Sequence, residues 1–140
     1  MSKHIAKLAG RWNGTFNGQG QIISTGFETT TSLPKEFGGL GVGASPEDLF
    51  LSSIASCHLI TLGIILNKAG VNYDDLSIDG QLITSTGQQA AIEEVILTVK
   101  IKSEIGLEKL QELNSKVEGF CLIAKAMNKN IKKTVNFQKN

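Results

Sequence analysis

The sequence predicts an α+β fold in which antiparallel sheets pack on a long buried central helix and on a second helix. The predicted order is strands, long helix, strands, helix, strand, whereas a doubly wound sheet requires strict alternation of strand and helix. Asn-Gly pairs, typical of tight hairpins, punctuate the N-terminal third. An uncharged run, residues 49–66, directly follows a strong helix-start signal. These observations favour α+β over a doubly wound parallel sheet.

The composition is that of a folded protein. The 140 residues are 41% apolar and 19% charged, which excludes disorder and leads us to expect one domain over residues 1–140. A net charge of +1 gives no basic surface for nucleic acid, and the lysines of residues 129–133 are expected on a solvated strand face. The N-terminal residues lack the apolar core of a signal peptide, which argues against export.

Three short extended segments are expected before the long helix. Asn13-Gly14 and Asn17-Gly18 supply the positive φ that hairpins need, so the pairing should be antiparallel. The glycine-rich loop at residues 38–43 lacks the Lys-Ser/Thr pair of a phosphate loop, and we interpret it as a flexible approach to the helix. The predicted strands are residues 4–12, 19–24 and 27–32.

The long helix is predicted from Pro46 to Ala69. Ser45 is a good N-cap, Asp48 stands three residues later as in a capping box, and Gly70 is the expected stop. The uncharged run is just long enough to span a membrane. Its serines, threonine and histidine, and the lack of another apolar span, favour a buried helix and no membrane contact.

Two alternating strands, a second helix and a final strand complete the prediction. The second helix, residues 107–127, carries an apolar stripe at helical spacing, so Cys121 should point the same way as the leucines. The strands are residues 76–84, 92–103 and 131–137, and the stripe is Leu107, Leu110, Leu113, Val117, Cys121 and Ala124.

The two cysteines, Cys57 and Cys121, are the residues most able to carry chemistry. Their separation excludes a CxxC redox motif and a finger-type zinc site. His58 follows Cys57, but adjacent helical side chains diverge by about 100°, so the two cannot easily chelate one metal ion. The thiols are therefore either small packing residues, which spacing alone favours, or a peroxide-reactive thiolate and its resolving partner.

Two motifs match a known family. Residues Gly39–Phe50 and the cysteine after them resemble the central helix entry of the OsmC/Ohr family, in which cysteine follows the glutamate of Asn/Ser/Thr-Pro-Glu by ten residues. Glu47 and Cys57 keep that spacing. The segment Glu118–Cys121 is similar to the family's second cysteine segment. Similarity extends to the hairpin at residues 12–20 and the loop at residues 32–39.

The resemblance implies an OsmC-like fold built as an intertwined homodimer, and a cytoplasmic thiol peroxidase that reduces organic hydroperoxides in oxidative-stress defence. Cys57 would be the peroxidatic thiolate, and Cys121 would resolve its sulfenic acid as a disulfide. An external dithiol, lipoyl-linked in some branches, would reduce that disulfide without a metal or bound cofactor. The alternative is a protein of this fold that binds an apolar ligand or senses peroxide with little turnover.

Glu47 belongs to the implied site. Ten helical residues span about 15 Å, so Glu47 cannot reach Cys57 of its own helix and would have to come from the partner chain. Stabilisation of the positive helix end is its alternative role.

The sequence departs from the family at the arginine that stabilises the thiolate. Phe16 occupies its position in the nearest-looking branch, and Arg11 or Lys35 would have to supply the charge instead. A missing guanidinium would leave the thiol less acidic and the enzyme slower. Leu122 also stands where proline is common.

Overall fold

The computed structural model describes residues 2–140, which form two compact units. The first extends through Phe50, the second comprises Leu51–Asn140, and helix α1 runs from one into the other. Sheets and helices together confirm the α+β prediction, while a single domain stays a prediction. The strands are β1 (Leu8–Asn13), β2 (Gln19–Ser24), β3 (Glu28–Thr31), β4 (Asp75–Thr84), β5 (Ile92–Lys102) and β6 (Lys132–Lys139). The helices are α1 (Pro46–Lys68), α2 (Leu107–Asn114), α3 (Val117–Phe120) and α4 (Leu122–Ala126), with a 3-10 turn at Lys35–Phe37.

An antiparallel sheet in the order β1-β2-β3 forms the first unit, as the hairpin signals predict. Trp12 pairs with Gly20, where a Cβ would strike the Arg11 carbonyl oxygen and the Trp12 ring. Only glycine lets the two strands approach at this point. The first strand begins at Leu8 rather than at residue 4, because Leu8 pairs with Ser24 at the end of β2.

The start of α1 is built as the sequence predicts. The Asp48 N–H donates to Ser45 Oγ at 3.1 Å, and the Ser45 N–H donates to Asp48 Oδ2 at 3.0 Å. This reciprocal pair is the predicted capping box. The glycine loop enters through Gly43, whose φ is +68° and where a Cβ would strike the Thr30 carbonyl oxygen. Gly70, with φ +74°, follows the helix end at Lys68 as the predicted stop.

The second unit contains a sheet in the order β4-β5-β6, in which one of the two pairings differs from the predicted antiparallel arrangement. β4 and β5 pair antiparallel, but β6 runs parallel to β5, with Val99 beside Phe137. The helical segment between β5 and β6 is the cause, because a crossover of this length returns the chain to the starting end of β5. Alternate residues of β5 are buried, as its period-two pattern predicts.

The core of the second unit joins this sheet to the helices. Leu62 and Leu66 of α1 pack in one buried cluster with Val99 and Ile101 of β5. The cluster continues through Ile105, Leu110, Leu113, Val117, Cys121 and Ala124. Most of the predicted apolar stripe is therefore core, whereas Leu107, its first member, is 48% exposed.

The predicted second helix is broken into α2, α3 and α4, which corrects the prediction of one helix over residues 107–127. Cys121 interrupts it with extended backbone angles, φ −82° and ψ 110°. Its Sγ accepts a hydrogen bond from the Ala124 N–H at 3.4 Å, so the side chain caps α4. The break therefore ends α3 and places a buried thiol at the start of α4, where the sulfur accepts a backbone N–H that has no partner within the helix.

Helix α1 buries one face within the chain. Ile54, His58, Leu62 and Leu66 recur every four residues and are buried. Ile60 and Ile64 are exposed on another face of the helix. Within residues 2–140, α1 is long and apolar enough to cross a membrane by length and composition, although core helices of soluble proteins satisfy the same criterion. A single chain therefore leaves an apolar surface of its central helix open.

Candidate active site

The two cysteines come together in the second unit. Cys57 lies in α1, partly buried and packed against the core cluster that contains Cys121. Cys121 is almost completely buried in the break between α3 and α4. Both are free thiols, and the Cys121 side chain is close enough to influence the pKa of Cys57. The structure thus pairs two residues that lie 64 positions apart in the sequence.

Hydrogen-bond donors surround the sulfur of Cys57. Burial alone would raise the pKa of this thiol. The donors outweigh burial and lower the pKa below its ordinary value. In order of effect they are the Cys121 thiol, the Ile123 amide, the Thr61 hydroxyl and the Leu122 amide. All are uncharged, so the acidity of Cys57 arises here from hydrogen bonds rather than from a neighbouring cation.

The environment of Cys121 has the opposite effect on the pKa of its thiol. Burial and the hydrogen bond to Cys57 raise the pKa of the Cys121 thiol, despite the opposing effect of the Ala124 amide. In this pair Cys57 is the group that ionises first, and Cys121 remains protonated and donates to it. Such a division supplies one thiolate nucleophile and one neutral thiol in contact with it.

A buried polar network begins one residue after Cys57. His58 is 1% exposed, and its Nε2 lies 2.8 Å from Asn114 Oδ1. Lys133 Nζ lies 3.4 Å from His58 Nδ1 and also forms an ion pair with Glu118. Because the ammonium can only donate, Nδ1 must accept and Nε2 must carry the proton. Burial, followed by the charge of Lys133, lowers the pKa of His58 despite the Asn114 hydrogen bond, and the ring is neutral at pH 7.

Lys133 therefore corrects the expectation that the lysines of residues 129–133 lie on a solvated strand face. Its side chain is only 13% exposed, whereas that of Lys132 is 74% exposed. Lys133 belongs to β6, whose parallel pairing with β5 the sequence did not predict, and it contacts His58. A histidine beside the first cysteine was the one available signal for this network.

Glu47 lies in the first turn of α1, in the first unit. Its Oε2 is buried and accepts no hydrogen bond from the residues described, 2–140. The capping box of Ser45 and Asp48 already serves the helix start, so Glu47 is not required as a cap. Ten residues of continuous helix separate Glu47 from Cys57, about 15 Å along the axis.

The two cationic residues proposed to supply the charge of the family arginine also lie in the first unit. Arg11 is in β1 and Lys35 is in the 3-10 turn, and both are exposed. Phe16 is 72% exposed and lines an open apolar cavity of about 560 Å³. The other lining residues are Trp12, Thr15, Ile22, Thr31, Ser32, Leu33, Pro46 and Leu49. Phe16 is thus part of an apolar surface.

A metal centre has no ligand set in the described part of the chain. Residues 2–140 contain no group of three or more His, Cys, Asp or Glu side chains arranged to hold an ion.

The chain matches one protein family and is similar in sequence to known proteins. The family described as OsmC-like protein matches residues 38–136. The uncharacterized protein YmaD of Bacillus subtilis is 28% identical over 137 residues, which cover 94% of this chain and 91% of that protein.

Solved structures share the fold. The OsmC-like protein of Mycoplasma pneumoniae superposes with a TM-score of 0.81 at 21% identity, covering 99% of each chain. The organic hydroperoxide resistance protein OhrB of Bacillus subtilis superposes with a TM-score of 0.76 at 24% identity, covering 96% of this chain and 98% of that one. With two thirds of the sequence inside the family match and the fold shared along the whole length, the chain belongs to the OsmC-like protein family.

Proposed function

We propose that this protein is a thiol peroxidase that reduces organic hydroperoxides with Cys57 and Cys121. The observation that carries the proposal is the contact between an acidified Cys57 and a protonated Cys121. The packing interpretation of the two cysteines does not account for this contact or for the donors around Cys57. Similarity to a protein named for organic hydroperoxide resistance supports the substrate class.

The first step is attack of the Cys57 thiolate on the terminal oxygen of the hydroperoxide. The S–O bond forms as the O–O bond breaks, and the alkoxide that leaves takes a proton from solvent to become an alcohol. Cys57 is oxidised by two electrons to a sulfenic acid. A lowered thiol pKa favours this step because the thiolate is the nucleophile.

Cys121 completes the cycle as the resolving thiol. Its sulfur attacks the sulfenic sulfur, the S–S bond forms, and the hydroxyl leaves with the thiol proton as water. An external dithiol, such as a lipoyl-linked one, then reduces the Cys57–Cys121 disulfide and is itself oxidised to a disulfide. Both protein thiols return to their starting state, and the chain needs no bound cofactor.

The site is proposed to be shared between two chains of a cytoplasmic homodimer. The buried Glu47 Oε2 lacks a partner among residues 2–140, and a donor from a second chain would satisfy it. The exposed Ile60 and Ile64 of α1 line an open surface with Leu59, Tyr73 and Leu76 that a second chain would cover. Glu47 of one chain would then serve the Cys57 site of the other.

A second candidate function, apolar ligand binding or peroxide sensing with little turnover, is favoured by the cavity at Phe16. Its lining is almost wholly apolar, and it takes the place of the charged family residue. Trp12, the single tryptophan, lines the cavity and would report occupancy directly. A saturable change in its fluorescence with a fatty acid, without peroxide consumption, would support this candidate.

The deciding experiment is peroxide consumption with a dithiol reductant, comparing cumene hydroperoxide with hydrogen peroxide. Wild type should consume the organic peroxide faster. Cys57→Ser should lose turnover, and Cys121→Ser should accumulate sulfenic acid at Cys57. Absence of consumption by wild type, or unchanged consumption in Cys57→Ser, would contradict the proposal.

A further inference from the structure

The start of α4 supplies amide donors that the helix itself does not use. Helix α4 has only five residues, and its first amides cannot reach a carbonyl one turn back within the helix. The Ala124 N–H is taken by Cys121 Sγ, and the Lys125 N–H by the Cys121 carbonyl oxygen at 3.1 Å. The two remaining amides, of Leu122 and Ile123, lower the pKa of the Cys57 thiol as backbone donors.

Thr61 approaches the same sulfur from its own helix. Cys57 and Thr61 are four residues apart in α1 and therefore lie on one face. Their Sγ and Oγ1 atoms are 4.0 Å apart. Either atom could donate when Cys57 is protonated, but a thiolate can only accept, so ionisation fixes the Thr61 hydroxyl as donor.

We propose that Thr61 is a positioning residue that stabilises the Cys57 thiolate, acting with the Leu122 and Ile123 amides. The inference rests on the proposed role of Cys57 as the reacting thiolate. The sulfur is held from two sides, by α1 and by the segment that bears Cys121. Because the amides belong to that segment, they also keep the resolving thiol beside the nucleophile.

Other titratable groups do not take this role. Cys121 faces Cys57 directly and remains the protonated member of the pair. His58, the next residue along α1, is engaged with Asn114 and Lys133, and Lys133 is paired with Glu118. The hydroxyl of Thr61 is thus the side-chain donor to Cys57 that can be removed without altering a titrating group.

The test is the pH dependence of Cys57 alkylation by iodoacetamide, quantified by mass spectrometry of the peptide. Thr61→Val removes the hydroxyl and keeps the shape, and Thr61→Ser restores a hydroxyl. Thr98→Val, on β5, is a matched substitution away from the thiols. Circular dichroism establishes that each variant is folded.

Thr61→Val should move the midpoint of the alkylation profile upward by about one pH unit and slow alkylation at pH 7 by roughly tenfold. Thr61→Ser should recover most of this loss, and Thr98→Val should follow wild type. An unchanged midpoint in Thr61→Val would overturn the inference, as would an equal shift in Thr98→Val. Alkylation needs no peroxide, so an acidic Cys57 in a protein that consumes no hydroperoxide would refute the peroxidase and leave this inference standing.

Discussion

Acidification should destabilise the protein through His58. The ring is buried and neutral between Asn114 and Lys133, and burial lowers its pKa in the folded chain. An unfolded chain binds the proton more readily, with a histidine pKa of about 6.5. The stabilising contribution of the neutral ring is therefore fully present above that value and is lost as pH falls toward the lower folded pKa.

The magnitude follows from proton linkage. One group that is neutral when folded and protonated when unfolded changes the free energy of unfolding by at most about 1.4 kcal/mol per pH unit. Between pH 6.5 and 5.5 the loss attributable to His58 is therefore on the order of 1 kcal/mol.

Urea unfolding of wild type and His58→Phe across this pH range isolates the effect. The variant should be less stable at pH 7.5, because Asn114 and Lys133 lose a buried partner worth about 1–3 kcal/mol. Its stability should then fall less steeply with acid than that of wild type. Equal pH dependence in the two proteins would refute the assignment of a neutral buried ring.

Four further predictions concern stability, assembly and turnover. Ser45→Ala should lower the free energy of unfolding by about 1 kcal/mol, because the Asp48 N–H loses its acceptor in the capping box, and urea unfolding measures this; no loss would argue against the box. Leu62→Ala should lower the free energy of unfolding by about 2–5 kcal/mol, because it opens a cavity in the core. Ile60→Asp, at an exposed position, should leave the chain folded and weaken self-association in sedimentation. An Ile60→Asp variant that still dimerises would contradict the proposed interface. Glu47→Gln should keep the stability of wild type but slow peroxide consumption, and normal turnover would remove Glu47 from the site.

Local sequence signals predicted the parts of the fold that depend on neighbouring residues. The capping box at Ser45 and the glycine stop at Gly70 are each determined within one helical turn. Alternation along β5 identified its buried face, because strand side chains alternate between the two sides of a sheet. Similarity to a family predicted that the two cysteines act as a pair. Their spacing alone favoured a simple packing role for each.

Arrangements that depend on residues far apart in the chain could not be predicted from the sequence. The parallel direction of β6 depends on the path of the whole helical segment, and with it the contact between Lys133 and His58. The continuous apolar stripe did not predict the break at Cys121, because that residue is buried on the same side with or without the break. The amides that acidify Cys57 exist only because of that break, so no spacing rule could have found them.

The most direct test of the account is a thiol titration after one equivalent of cumene hydroperoxide, without reductant. Each chain carries two free thiols, and we predict that both disappear together while mass spectrometry detects a Cys57–Cys121 disulfide. The matched reaction of Cys57→Ser should leave Cys121 untouched. Two thiols that persist in wild type, or Cys121 oxidised in the absence of Cys57, would contradict the assignment of nucleophile and resolving thiol.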